Sequence, residues 1–234
     1  MKFDTFKIRC SALGKLLTEP KLKADKESGN LSATAKDYLN SVWIEEVYGR
    51  KKDTSSKYTE KGQFNEQDTM DLYCSMVGRL IVTNKIQFEN EYITGTPDLF
   101  DGDIVVDLKS SWDIWTYMKA EVTNDYFYQL LGYMWLTGKQ KASLCYGLTD
   151  CPEHMVQDEL SKLRWKYKAI DYNTDEEYLA AEAQMYKNLI YSDIPQSDRC
   201  KIYTWSWDQN CDSLVEIIKI KVEKSREYLN SLKL

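Results

Sequence analysis

The stretch Gly95-Thr96-Pro97-Asp98-Leu99-Phe100-Asp101-Gly102-Asp103-Ile104-Val105-Val106-Asp107-Leu108-Lys109 decides how this chain is read. Asp101-Gly102 between two apolar runs is a strong signal for a two-residue hairpin corner. With those residues at the corner, Phe100 faces Asp103, Leu99 faces Ile104 and Asp98 faces Val105. Residues two apart on a strand share a face, so Val105, Asp107 and Lys109 point one way and Ile104, Val106 and Leu108 the other. Directly opposed residues also share a face, which puts Asp98 with Asp107 and Lys109. Asp98 and Asp107 become diagonal cross-strand neighbours, roughly 7–8 Å apart at the backbone.

Two carboxylates converging from that separation can hold one small divalent cation. Charges on a Val/Ile-rich strand are costly unless they are used or paired, and magnesium prefers a few carboxylate oxygens plus waters. A metal there can acidify a water and neutralise charge on a phosphate being cut. Lys109, two residues from a ligand, can steady the attacking water or the oxyanion. The plainer alternative is a hairpin with solvated polar residues on its outer face.

Two other segments bear on that choice. Glu66 falls in a predicted helix with Thr69, Met70, Tyr73 and Val77, and the spacing puts it on their inward stripe. A carboxylate there suits a metal ligand or a group just behind one; the alternative is a helix-end residue in water. Gln129 and Tyr133 are four apart on an apolar helix with Phe127, Leu130, Leu131, Met134 and Trp135, so they share a face. A buried Gln needs partners: the site carboxylates, a DNA phosphate, or backbone in an ordinary core.

Outward from the hairpin, residues 11–19 predict a short helix capped by Ser11, and 20–30 a polar loop. Residues 32–48 predict a helix with the stripe Leu39, Val42, Trp43 and Val47, ended by Gly49. A basic loop over 50–57 leads into a helix over 59–77, then a strand over 87–94. After the hairpin come a helix over 124–136, a strand over 141–148, helices over 152–169 and 175–191, a strand over 199–207 and an amphipathic helix over 213–232. No repeat or linker interrupts this order. The expectation is one α/β domain over 1–234, a central mixed sheet flanked by helices, with helical elaborations at both ends.

Composition narrows the chemistry. A chain of 234 residues, 43% hydrophobic and 29% charged, suits a soluble protein able to bury a core. No apolar run approaches the roughly 18 residues that span a bilayer, and residues 1–10 lack the apolar stretch of a signal peptide. A cytoplasmic protein with no membrane partner is expected. The six cysteines, at 10, 74, 145, 151, 200 and 211, form no C-x-x-C pair. They suit reduced structural thiols and argue against a zinc ribbon or an iron–sulfur cluster. A single histidine, His154, excludes multi-histidine sites. A net charge of −6 runs against nucleic-acid binding taken alone, yet DNA contact needs only a local basic patch. Arg50, Lys51, Lys52, Lys57 and Lys61 form the densest basic stretch and could neutralise phosphates; Lys21, Lys23 and Lys26 form a looser one. Solvated loop lysines explain both groups equally well. Trp112, Trp115 and Tyr117 follow Lys109 and can stack on bases or fill the core.

Taken in order, Gly62-x-x-x-Glu66, Gly95-Thr96-Pro97-Asp98, Asp107-x-Lys109 and Gln129-x-x-x-Tyr133 resemble the RecB-like branch of the PD-(D/E)XK nucleases. The likeness is nearest to phage recombination exonucleases of the lambda exonuclease or YqaJ type, and covers roughly residues 60–135. It implies a restriction-endonuclease-like core cutting phosphodiester bonds with magnesium or manganese. Asp98, Asp107 and the Leu108 carbonyl would be metal ligands, with Glu66 nearby, and Lys109 the catalytic lysine. Gln129 would support the site, and Tyr133 the DNA backbone. Ile8-Arg9-Cys10-Ser11 resembles the family's N-terminal helix entry, which makes Arg9, Ser11 and Lys15 candidates for DNA contact. The resemblance also implies action on duplex ends from the 5′ side, a single-strand annealing partner and, in some members, a trimer. The chain departs from the pattern in carrying Asp107 where Glu is common. Two alternatives stand beside an exonuclease: a structure-specific endonuclease or resolvase on the same fold, and a non-catalytic DNA-binding protein derived from it.

Overall fold

The computed structural model describes residues 2–53, 56–168 and 171–233. The chain opens with β1 (Ile8–Arg9), a 3-10 turn over Cys10–Ala12 and α1 (Leu13–Leu17). Ser11 does not cap that helix as expected, because the backbone enters through the 3-10 turn and Ala12 precedes the first helical residue. The expected loop over 20–30 contains a short exposed helix, α2 (Lys23–Glu27). α3 (Ala33–Tyr48) starts where Ser32 Oγ accepts from the Ala35 amide at 3.0 Å, and stops at Gly49, whose φ of 65° is left-handed. Of its predicted stripe, Leu39 is buried but Val47 is exposed.

The single helix expected over 59–77 is two helices, α4 (Lys57–Phe64) and α5 (Glu66–Val77). They break at Asn65, whose side-chain amide is drawn out to the Thr149 hydroxyl (2.8 Å) and the Asp150 carbonyl (2.5 Å). The strand expected over 87–94 is a hairpin, β2 (Phe88–Glu89) and β3 (Ile93–Gly95). Asn90 Oδ1 turns the chain between them by accepting from the amides of Tyr92 and Ile93. β3 pairs parallel with β1 and antiparallel with β2, forming a small sheet of order β1-β3-β2.

The main sheet follows. Its strands are β4 (Leu99–Asp101), β5 (Ile104–Ser110), β6 (Lys141–Gly147) and β7 (Cys200–Ser206), in that spatial order. Pairing runs antiparallel, parallel, antiparallel. The parallel step from β5 to β6 needs a crossover, supplied by α6 (Ile114–Met118) and α7 (Asn124–Thr137). α8 (Glu153–Tyr167) and α9 (Glu176–Leu189) separate β6 from β7, and α10 (Gln209–Ser231) ends the chain. The predicted end of α8 at Ala169 lies outside the described residues.

Both faces of the main sheet are covered, which is why Val105 and Val106 of β5 and Leu144 and Cys145 of β6 are buried although they point to opposite sides. On one face Val105, Ala142, Leu144 and Tyr146 pack with Leu130, Leu131 and Met134 of α7, with Leu13 and Leu16, and with Ile218 and Val222 of α10. On the other, Leu99, Val106, Leu108 and Cys145 pack with Met70, Leu72 and Tyr73 of α5. Gly132 makes one of these contacts possible: a Cβ there would lie 2.8 Å from Cys10 Sγ and from Leu13 Cδ1. All six cysteines are buried and free. No helix among the described residues is long and apolar enough to cross a membrane.

Candidate active site

The hairpin turns one residue later than its sequence suggests. Asp101 pairs with Ile104, Phe100 with Val105 and Leu99 with Val106, so Gly102-Asp103 is the corner. Gly102 has φ of 60° at the first corner position, where a type II′ turn needs a positive angle. Asp101 stays in the strand because its carboxylate, 3% exposed, is claimed elsewhere. It accepts from the Tyr73 hydroxyl at 2.9 Å and pairs with the Arg79 guanidinium. Moving the corner by one residue slides the pairing by two, which keeps every side chain on its expected face. Continued one step, the register sets Asp98 directly opposite Asp107 rather than diagonal to it.

Asp107 is 1% exposed. Its Oδ1 accepts from Gln129 Nε2 at 2.8 Å. Its Oδ2 lies 2.6 Å from Lys109 Nζ but has no aligned hydrogen-bond donor. Half-buried Asp98 accepts from the Leu108 amide at 2.6 Å. Burial, then the neighbouring Asp107 charge, pushes the Asp98 carboxyl up to about 7. Burial also raises Asp107, against the pull of Lys109. For Lys109 burial disfavours the ammonium, but Asp107 and Asp98 outweigh it and hold the charge on. That ammonium sits 5.1 Å above the centre of the Tyr126 ring, within cation–π range.

α7 supplies the orienting shell from the same side of the sheet. Gln129, 8% exposed, uses its second amide hydrogen on the Tyr133 hydroxyl at 2.9 Å. The amide nitrogen, not the oxygen, therefore faces Asp107. Gln129 and Tyr133 thus share one buried network with Asp107 and Lys109.

Other candidates lie apart from this group. Glu66 is exposed at the first turn of α5, not on the inward stripe. The break at Asn65 resets the helix, so the buried stripe begins at Thr69 and Met70. The Glu66 charge still acts on Asp98. Among the described residues no group of three or more His, Cys, Asp or Glu side chains is arranged to hold a metal. Lys61 is not a loop lysine facing phosphate. It is 1% exposed, and its ammonium donates to the carbonyls of Ser111 (3.0 Å), Trp112 (2.9 Å) and Thr149 (2.9 Å). Burial lowers its pKa to about 8. Spacing gives no sign of this: Lys61 and Asn65 are four apart, but that both reach Thr149 is decided by the fold.

Arg50, Lys51, Lys52 and Lys57 are exposed. Lys51, Lys52 and Lys57 line a cleft of about 640 Å³ with Glu60 and Gln63, and Lys57 reaches over the Trp112 ring at 4.6 Å. Lys57 begins α4 instead of ending a loop. Arg9, Ser11 and Lys15 are exposed around the 3-10 turn and α1. Lys26 pairs with Glu19 at 2.5 Å and Lys23 with Glu27 at 3.8 Å. His154 is exposed beside Glu60 at 3.1 Å.

The fold has counterparts of known structure. A phage-related exonuclease from Haemophilus somnus 129PT matches 97% of this chain over 95% of its own, with 27% identity and a TM-score of 0.75. The chain has an exonuclease's fold. An alkaline exonuclease from Laribacter hongkongensis, LHK-Exo, matches 96% of this chain over 88% of its own, at 14% identity and a TM-score of 0.62. The same enzyme in complex with dAMP gives 0.63. At that identity the LHK-Exo match speaks to fold alone. No family model matches the sequence, and no curated protein does either.

Proposed function

We propose that this chain is a metal-dependent DNA exonuclease of the PD-(D/E)XK type, RecB-like branch, acting on duplex ends in recombination. The observation that carries it is the meeting of Asp98 and Asp107, whose charge acts on Asp98, with Lys109 Nζ 2.6 Å from Asp107. The likeness to a phage-related exonuclease at 27% identity supports the exonuclease half of the reading.

The residues fit a divalent cation. Asp107 Oδ2 is buried and meets the Lys109 ammonium at 2.6 Å without an aligned hydrogen bond, so it keeps lone-pair capacity for a cation. Two facing carboxylates repel each other, and both are pushed towards the neutral form. Magnesium or manganese would be held by Asp98, Asp107 and the Leu108 carbonyl, with waters completing the shell and exposed Glu66 at the rim. A bound cation supplies a more acidic water and charge for the phosphate. Gln129 fixes the angle of the Asp107 carboxylate, and Tyr133 fixes Gln129. Lys109 keeps its positive charge next to the position of a scissile phosphate and offsets negative charge as it builds up. Exposed Arg50, Lys51, Lys52 and Lys57, with Arg9 and Lys15, would neutralise phosphates of the duplex, and the Ser11 hydroxyl would donate to one. A homotrimer and a single-strand annealing partner complete the proposal.

The test is digestion of end-labelled linear duplex carrying 5′-phosphate or 5′-hydroxyl ends, alongside closed circular DNA, in magnesium or EDTA. Linear DNA should be degraded from its ends, circles should survive, and EDTA should stop the reaction. Lys109→Ala should lower kcat by about 10²- to 10⁴-fold. Cut circles would favour an endonuclease. Wild-type protein that cleaves no DNA, or Lys109→Ala with full activity, would overturn the reading.

A further inference from the structure

The structure separates the three aromatic residues that follow Lys109. Tyr117 is 4% exposed and belongs to the core. Trp112 is half-buried beneath Lys57. Trp115 is 57% exposed on α6, an unusual position for so large an apolar surface.

Trp115 lines a cavity of about 410 Å³ with Asp113, Lys119, Glu121, Tyr126 and Tyr146. Tyr126 is the ring on which the Lys109 ammonium rests. The cavity and the candidate active site therefore share the Tyr126 ring as a wall. Tyr146 is fixed within the cavity wall. Its hydroxyl donates to the Glu121 carbonyl at 2.8 Å and its ring meets Tyr126 edge to face at 6.1 Å. The volume falls in the range of about 300–1,000 Å³ usual for small-ligand sites.

We infer that this cavity is a nucleobase subsite: it takes the base of the nucleotide adjoining the phosphodiester held at Lys109, stacked on Trp115. The inference rests on the nuclease reading for what lies at Lys109, and on the cavity itself for the base. Its chemistry selects a base over a phosphate. Two carboxylates, Asp113 and Glu121, against one ammonium, Lys119, make a poor seat for a dianion. They suit a neutral ring whose exocyclic amino groups donate hydrogen bonds. Every base has a π-face, so stacking on Trp115 is sequence-tolerant, while the carboxylates favour adenine, guanine and cytosine over thymine, which has no exocyclic amino group.

Stacking on one aromatic side chain contributes on the order of 1–3 kcal/mol per base, or about 5- to 150-fold in affinity. Trp115→Ala should therefore raise KM for linear duplex in magnesium by at least about 5-fold, with kcat within about 3-fold of wild type. Trp115→Phe should restore most of the loss. The exposure of Trp115 makes both variants foldable, which thermal melting verifies. A second arm needs no cleavage: binding of dAMP and of a fluorescent duplex in EDTA, followed by titration calorimetry and anisotropy. Trp115→Ala should weaken both ligands, and an inorganic phosphate competitor should not discriminate between the proteins. Wild-type KM and wild-type affinity in Trp115→Ala overturn the subsite. If the wild type cleaves nothing, the nuclease reading fails separately, and the EDTA arm still decides the base subsite.

Discussion

Asp98 and Asp107 carry an electrostatic cost that the proposed cation would offset. Both carboxyls lie above their ordinary value of 3.8 in the folded state. A group whose folded pKa is raised binds its proton more tightly when folded. Its contribution to stability is thus complete below the ordinary carboxylate value and lost as pH climbs through the folded one, about 7 for Asp98. In EDTA the protein should therefore melt at a lower temperature near pH 8 than near pH 6. Asp98→Asn should flatten that dependence, because an amide carries no charge and can still accept from the Leu108 amide. The same variant should lose at least about 100-fold in cleavage. Added magnesium should raise the wild-type melt near pH 8 by mass action and leave Asp98→Asn almost unmoved. Calorimetry with and without metal checks the melting outcomes and an initial-rate assay the cleavage loss; equal pH profiles for the two proteins would contradict the account.

At the level of elements, α4 is fastened to the sheet by Lys61. Its three carbonyl acceptors belong to the segments just after β5 and just after β6. Asn65 adds the Thr149 hydroxyl, which also meets Ser110 Oγ at 2.8 Å. One lysine thus closes the end of the parallel pair that bears Lys109. Lys61→Met would leave buried carbonyls unpaired and should cost about 3 kcal/mol. The cost should grow with pH. A lysine lowered to about 8 from its ordinary 10.5 sheds its proton earlier when folded than when unfolded, so wild-type stability rises between those two values. Urea unfolding of both proteins near pH 7 and near pH 10 should show the gap widening; a constant gap would mean Lys61 titrates normally.

Across the whole molecule, the two ends of the chain meet over one core. Ile218, Val222 and Leu229 of α10 share it with Ile8, Leu13 and Leu131. Arg226, 8% exposed, donates to the Phe6 carbonyl at 3.1 Å and the Glu91 carbonyl at 2.6 Å while pairing with Glu223 at 2.7 Å. Asn230 adds contacts to Phe3 and Asp4. Arg226→Met should cost about 2 kcal/mol for the two abandoned carbonyls, or about 4–8 °C in Tm at this size. Arg226 bonds to neither aspartate nor to Lys109, so cleavage well below the melt should stay within about 3-fold of wild type. A thermal melt paired with an initial-rate assay separates the two effects.

The sequence alone determined which face of the hairpin holds Asp98, Asp107 and Lys109, and which face of α7 holds Gln129 and Tyr133. Those relations follow from strand alternation and helical period, which are local and survive a displaced turn. The long helices α3, α7 and α10 were legible for the same reason. Tertiary structure decided the rest. The corner moved because Asp101 is held by Tyr73 and Arg79, far away in the chain. Glu66 left the inward stripe and Lys61 entered the core because α4 and α5 break at Asn65, whose partners are Thr149 and Asp150. Strands as short as β1 and β2, two residues each, leave almost no periodicity to read and exist only through their pairing with β3. A side chain's direction is a property of its own segment, but whether it ends in water, in the core or at the site depends on what distant residues bring against it.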